Sequence, residues 1–317
     1  MKGEAVLGVS TVAKVGGGTR PATSRSEVTL GCRSVRCATQ LAPDMNALYR
    51  RAEIEFVPDA DAATELTELG AVGMAFDPDD DARLAAYYSY PETLERCWVR
   101  ANMISSLDGG ATDEGSSGGL AGPGDRAVFT RMREEADVIL VGASTVRIEN
   151  YSGAQMSLAQ RQNRQRRGQA EVPPIAVITH SADFEHDAKF FTRTEVPPLI
   201  LTSRETTSEA RHRLGALAEV IDASGPQPDR VDAGAVLDVL DGRGLRRVLT
   251  EGGPSLLSMF IERDLLDELC VTIAPILVGG HARRIATGPG EAHTKMRRSH
   301  LLSDREGYLY TRYVKED

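Results

Sequence analysis

"RRVLTEGGPSLLSMFIERD", Arg246 to Asp264, joins two kinds of apolar pattern through an acid and a glycine pair. Val248 and Leu249 end a short run of the buried-strand kind, whereas Leu256, Leu257, Phe260 and Ile261 recur at helical spacing. Pro254 suits the first helical position, where its missing N–H is not needed. The stretch therefore reads as strand, turn and helix, with Glu251, Gly252 and Gly253 at the joint.

The same grammar runs through the chain from Trp98 onward. "WVRANMISS", "DVILV", "IAVIT", "PLILT", "AEVI", "RRVLT" and "ELCVTIA" are short apolar runs of the kind buried in parallel sheets. Helical stretches such as "GDRAVFTRMREEA", "SEARHRLGAL" and "GAVLDVLDG" lie between several of them. This alternation predicts an α/β layer with a mainly parallel sheet, and "GYLYTRYV" reads as a final, alternating strand. The Gln/Arg-rich "AQRQNRQRRGQAE" reads as a charged loop or exposed helix.

With 317 residues, 41% of them apolar, the chain can build one large core or two modest ones. A net charge of -9 argues against a general basic surface for nucleic acid or anionic lipid. No apolar run reaches the roughly 18 residues of a membrane span. Cys32, Cys37, Cys97 and Cys270 lack the short spacings of a zinc site or disulfide framework, so the expectation is a reduced, cytoplasmic protein without a metal. Cys270, inside "LCVTIAPILV", reads as a small buried hydrophobe. Residues 1–44, rich in Ser, Thr, Gly and Arg, read as a disordered tail, with Met45 as an alternative start. Residues 45–95 read as an acidic arm with short helices, and residues 96–317 as the main domain.

In open α/β sheets ligands sit at the carboxyl ends of strands, so the strand-to-helix joints are the places to search. One joint is Gly142 to Thr145, in "DVILVGASTVRIENY"; the other is Gly252 to Ser255. Each joins backbone N–H groups to a helix start, where the dipole favours anions, and two such ends on one cleft suit a pyrophosphate. Singly, each also reads as ordinary helix-start chemistry. Neither G-x-G-x-x-G nor G-x-x-x-x-G-K-[ST] occurs at these joints. Glu251 reads as a loop acid or, beside that dipole, as an ionised acceptor for a ligand. In "NMISSLDGGATDEGSSGG", Asp108 reads as a turn residue, and Ser116 to Gly119 as a polar loop able to close on a ligand. Arg133 reads as a helix charge.

Taken together, "SSLDGGAT", "RMREEADVILVGASTV", "LTEGGPSLLSMF" and "DELCVTIAPILVGG" resemble the reductase domain of the bifunctional riboflavin-biosynthesis deaminase/reductase. The blocks agree in order from about Trp98 to the C-terminus, closest to stand-alone actinobacterial members, including mycobacterial ones. The resemblance implies a dihydrofolate reductase-like α/β fold, with a mainly parallel central sheet flanked by helices and an antiparallel C-terminal strand. It implies NADPH as hydride donor, and reduction of 5-amino-6-(5-phosphoribosylamino)uracil to its ribitylamino form. By that resemblance Asp108 lies beside the nicotinamide as an acid or positioning group, and Ser117, Arg133 and Glu251 bind substrate. Ile104, Gly119, Gly142, Ala143, Thr145, Glu149, Gly252, Gly253, Pro254, Ser255 and Leu256 fall on cofactor positions, with the contacts running on to Ser258. Thr179, His180 and Ser181 fall near the adenosine 2′-phosphate, although His180 also reads as an exposed loop histidine. A homodimer formed through the sheets, "GYLYTRYV" among them, is expected.

The chain also departs from that pattern. It has no H-x-E followed by P-C-x-x-C, so deamination is not expected. Gly110 stands where the family has a basic residue, and Met156 stands where it has a substrate-binding Arg. Arg161, Arg164, Arg166 and Arg167 are an alternative phosphate-binding set, or simply a solvated charge run. The departure at Met156 motivates two other readings: reduction of a dihydropteridine such as dihydrofolate, and a non-catalytic NADPH-binding protein.

Overall fold

Runs of Val, Ile and Leu with no polar side to offer water need cover on both faces, and in the computed structural model they lie inside a nine-stranded sheet. The structure describes residues 26–28, 35–37 and 81–316. The chain divides into two units, Met1–Leu69 and Gly70–Asp317. In the first, β1 (Ser26–Val28) and β2 (Val35–Cys37) pair antiparallel. The rest of the expected tail and the helical segment expected after Met45 lie outside the described residues.

The second unit opens with α1 (Asp81–Tyr88), β3 (Trp98–Ser106), α2 (Pro123–Glu135), β4 (Val138–Gly142), α3 (Ala143–Ile148) and α4 (Leu158–Arg166). It continues with β5 (Ile175–Ile178), α5 (Lys189–Thr192), β6 (Leu199–Thr202), α6 (Arg204–Leu214), β7 (Glu219–Asp222) and α7 (Ala233–Asp241). Last come β8 (Arg247–Thr250), α8 (Pro254–Glu262), β9 (Glu268–Ala274), β10 (Met296–Ser303) and β11 (Leu309–Lys315). The sheet order is β10-β11-β9-β3-β8-β4-β5-β6-β7. From β9 to β7 every pairing is parallel; β11 runs antiparallel to both β9 and β10. The α/β fold with a mainly parallel sheet is therefore the one expected, with β11 as the antiparallel C-terminal strand and β10 paired antiparallel to it at the edge. "MRRSHLLS" gave β10 no apolar alternation to be read by; its pairing with β11 makes it a strand.

Period-two alternation divides the core. Ile139 and Val141 of β4 face a layer holding Val128 and Met132 of α2 and Val146 of α3. Val138 and Leu140 face the opposite layer, with Val236 and Leu240 of α7 and Leu257 and Phe260 of α8. Each such side chain, once fully buried, stabilises the fold by roughly 1.5–3 kcal/mol. Cys270 is buried, as expected, and burial pushes its thiol up.

The expectation of a solvated basic run holds only in part. α4 is the exposed helix expected and Arg166 is exposed on it, but the run is not solvated throughout. Arg164 is fully buried, its Nη1 donating to the carbonyls of Glu134 (2.9 Å) and Ala136 (2.6 Å) at the end of α2. Arg161 pairs with Glu195, and Arg167 with Glu135. A helix end left with unsatisfied carbonyls explains why an arginine was drawn in. The "GYLYTRYV" strand, β11, lies inside the sheet between β9 and β10, and β10 is the strand at that edge.

Candidate active site

Sheet order brings the two glycine-bearing joints side by side, because β8 and β4 pair directly. Gly142 N–H donates to Gly252 O (2.9 Å), and Gly253 N–H donates to Thr145 Oγ1 (3.1 Å). Gly252 (φ +84°) and Gly253 (φ +35°) lie in the left-handed region that favours glycine. A Cβ on Gly252 would stand 3.0 Å from Met103 Sδ, and one on Gly253 2.9 Å from Thr145 Oγ1. The start of α8 carries no side-chain cap.

Beside this turn lies a cleft of roughly 250 Å³ whose lining includes Asn102, Met103 and Ile104 of β3, Asp125, Arg126 and Phe129 of α2, and Thr145 of α3. Ser117, Glu149, Tyr151 and Glu251 complete the polar part of its wall. Glu251 is fixed from the side: Arg133 Nε donates to its Oε1 (2.6 Å), Arg133 Nη2 to its Oε2 (2.7 Å), and the Tyr151 hydroxyl to Oε2 (2.7 Å). Burial works against the charge of Arg133, but Glu251, by charge and hydrogen bond, outweighs it and holds the guanidinium protonated. Burial, reinforced by the neighbouring Glu251, pushes the Tyr151 phenol well up. The guanidinium of Arg133 also sits over the Phe129 ring, 4.2 Å from its centroid. Across the cleft, Glu149 Oε1 accepts from Ser117 N–H (2.9 Å) and Ser117 Oγ–H (3.0 Å).

The structure thus brings together Ile104, Ser117, Thr145, Glu149 and Glu251 on one cleft, with Arg133 bonded to Glu251 behind it. Gly142, Gly252 and Gly253 form the adjoining joints, with Ala143 opening α3 and Pro254, Ser255 and Leu256 opening α8. Other expected residues lie elsewhere. Asp108 is exposed and does not line the cleft; it accepts from Ser106 Oγ–H (2.6 Å), Val278 N–H (3.1 Å) and Gly279 N–H (2.6 Å). Those three donors pull its carboxyl down to about 2, which suits a loop fastener and opposes an acid. Gly119 is not in the lining; a Cβ there would meet Asp113 Oδ2 at 2.8 Å. Thr179, His180 and Ser181 follow β5, next to β4 along the same sheet edge. Thr179 is buried and its hydroxyl accepts from Ala182 N–H (3.0 Å), while His180 and Ser181 are exposed. Ser258 turns away, its hydroxyl donating to Glu262 Oε1 (2.8 Å).

Residues 97–310 match the family described as the RibD C-terminal domain. The chain belongs to that family. The 2,5-diamino-6-ribosylamino-4(3H)-pyrimidinone 5′-phosphate reductase of Archaeoglobus fulgidus is 31% identical over 186 residues, 58% of this chain and 83% of that protein. The riboflavin biosynthesis protein RibD of Bacillus amyloliquefaciens is 30% identical over 185 residues, 58% of this chain but 47% of that protein. Among solved structures, a pyrimidine reductase-like protein from Corynebacterium diphtheriae has a TM-score of 0.63 and 26% identity, covering 70% of this chain and 92% of that one.

Within this RibD C-terminal domain, Met156 packs into the core and is no cleft residue. The basic run is not among the cleft residues either: Arg161 pairs with Glu195 between α5 and β6, and Arg164 and Arg167 bond the Glu134 carbonyl of α2. The cleft residues not foreseen are Asn102, Met103, Ala111, Ala121, Asp125, Arg126, Phe129 and Tyr151. Asp125 lies in the first turn of α2, a place where an acid commonly faces the helix dipole, and no local pattern singles it out. Tyr151 stood inside "ENYSG", where the chain leaves the family pattern, and only its hydrogen bond to Glu251 gives it a place.

Proposed function

We propose that this chain is an NADPH-dependent reductase of riboflavin biosynthesis, converting the ribosylamino group of 5-amino-6-(5-phosphoribosylamino)uracil into a ribitylamino group. The Arg133–Glu251–Tyr151 network on the cleft wall carries this reading. A carboxylate has about four acceptor positions, and Arg133 and Tyr151 occupy three on Glu251. The remaining position on Oε1 suits an N–H of the aminopyrimidine. Relatives named as pyrimidinone phosphate reductases support that substrate class.

The residues present fit a nicotinamide dinucleotide. Gly252 and Gly253 leave bare backbone where a Cβ would collide with Met103 or Thr145, at a helix start without a side-chain cap. Gly252 to Leu256 would hold the phosphates, with Gly142, Ala143 and Thr145 beside them and Thr179 to Ser181 toward the adenosine end. When bound, the reduced nicotinamide supplies a hydride. Ile104, Met103 and Phe129 keep water from the reacting carbon, while Glu251 fixes the heterocycle. For the substrate phosphate we assign Arg126. It lines the cleft and is exposed, and its hydrogen bond is a long one, 3.4 Å to Ala121 O.

Steady-state oxidation of NADPH with the ribosylaminopyrimidine phosphate, compared with dihydrofolate, tests the assignment. Faster turnover of the former is expected. The buried Met156 is the observation that favours a second reading, a dihydropteridine substrate without a phosphate. Tight NADPH binding with turnover of neither would leave a binding protein. The proposed setting is the cytoplasm and the proposed assembly a homodimer, with β10 as the strand available at the sheet edge.

A further inference from the structure

We propose that Asp125 is the proton donor that opens the ribosyl ring, a role that rests on the substrate class proposed above. Three carboxyl groups line the cleft: Asp125, Glu149 and Glu251. Glu251 is committed to Arg133 and Tyr151, and Glu149 accepts two hydrogen bonds from Ser117. Asp108, the sequence-based choice, is outside the cleft and held by three donors. Asp125 alone has neither a guanidinium pair among the described residues nor a set of main-chain donors. It sits in the first turn of α2, half-buried, facing the Thr272 side chain of β9.

Its surroundings keep it poised. Burial pushes the Asp125 carboxyl up, against the Thr272 hydroxyl and the neighbouring Arg126, which draw it down. From the β10–β11 end it is faced by Tyr308 and Tyr310. The Tyr308 hydroxyl donates to Leu120 O (3.1 Å), and that of Tyr310 to Asp304 Oδ2 (2.5 Å). Glu149 and Glu251 face it across the cleft. A general acid works best with its pKa near the operating pH, so a raised carboxyl among fixed acceptors is suited to the task.

The step balances as follows. The Asp125 proton passes to the ring oxygen, and the C1′–O4′ bond breaks with its electron pair on that oxygen. The lone pair of the exocyclic nitrogen forms the C1′=N bond, giving an open-chain iminium with a 4′-hydroxyl. On reclosure the 4′-hydroxyl returns that proton to the carboxylate; after reduction, a hydronium ion from solvent at the cleft mouth does so and leaves water.

Ring opening can be read without the cofactor, because an opened ribosylamine recloses to either anomer. Magnetisation exchange between the two anomers of the ribosylaminopyrimidine phosphate, with enzyme and no NADPH, is expected to speed up for wild type. Asp125→Asn should lose that acceleration by about 100-fold and lose the basic limb of its pH–rate profile, with NADPH affinity unchanged. Thr272→Val, which keeps the carboxyl, should move that limb to higher pH, and it serves if Asp125→Asn fails to fold. An Asp125→Asn enzyme that exchanges anomers and turns over like wild type, or an unmoved limb in Thr272→Val, overturns the inference. Wild type that binds no ribosylaminopyrimidine phosphate overturns the proposed function instead.

Discussion

Arg133 and Glu251, 118 positions apart, meet as a two-pronged pair, Nε to Oε1 at 2.6 Å and Nη2 to Oε2 at 2.7 Å. Their side chains are 15% and 2% exposed, so water does little to replace either partner. Removing one partner of such a buried pair costs about 3–5 kcal/mol, most of it from the charge left behind. Glu251→Ala is therefore expected to lower stability in urea by about 3 kcal/mol. Arg133→Leu combined with Glu251→Leu should recover much of that loss but no turnover. A double variant as unstable as the sum of the two singles would show that the pair is not coupled.

The order of strands explains which parts of this site were legible. The joints at Gly142 and Gly252 could be read because strand, glycine and helix are local patterns, and pairing of β4 with β8 brings them together. Arg133 looked like a helix charge because nothing local says that α2 packs over the end of β8. Asp108 looked like part of the site because it follows β3, yet the backbone of Val278 and Gly279, 170 and 171 positions away, takes its carboxylate. Side-chain partners at that separation are decided by tertiary packing, not by spacing. The same holds for Arg164, whose burial depends on the carbonyls at the end of α2.

Gly253→Ala forces a Cβ to 2.9 Å from Thr145 Oγ1 at a positive φ. The collision falls on the turn assigned to the cofactor phosphates. A rise of about tenfold in the NADPH dissociation constant is expected, equal to about 1.4 kcal/mol. Fluorescence titration measures it. Thr145→Val, which removes the acceptor for Gly253 N–H, should shift affinity in the same direction. Unchanged NADPH binding in both would move the cofactor away from this turn.

Arg126→Ala should raise KM for the phosphorylated substrate by about tenfold or more, because a charge-assisted phosphate contact contributes roughly 1.5–3 kcal/mol. The dephosphorylated nucleoside should show almost no change. Met156→Arg, by contrast, should not restore a phosphate site. It places an unpaired charge in the core, and the expected outcome is a loss of at least about 2 kcal/mol in stability with no gain in affinity. Equal effects of Arg126→Ala on both substrates would remove the phosphate from its assignment.

His300 of β10 sets a pH dependence of stability. Its ring centroid lies 5.0 Å from that of Tyr87 and 5.2 Å from that of Tyr88, and Nε2 is buried without a hydrogen-bond partner among the described residues. Burial first, and then the charge of Arg312, push its pKa down from 6.5 to about 4. The unfolded chain therefore takes up this proton more readily than the folded one, and stability falls as the solution is acidified. The contribution is complete above the unfolded value of 6.5 and is lost as pH falls toward about 4. Melting temperatures across that interval should decline less steeply in His300→Phe, which keeps the ring contacts and cannot be protonated. Parallel curves for the two proteins would mean that another group, such as Glu268 between Arg100 and Arg312, controls the acid side.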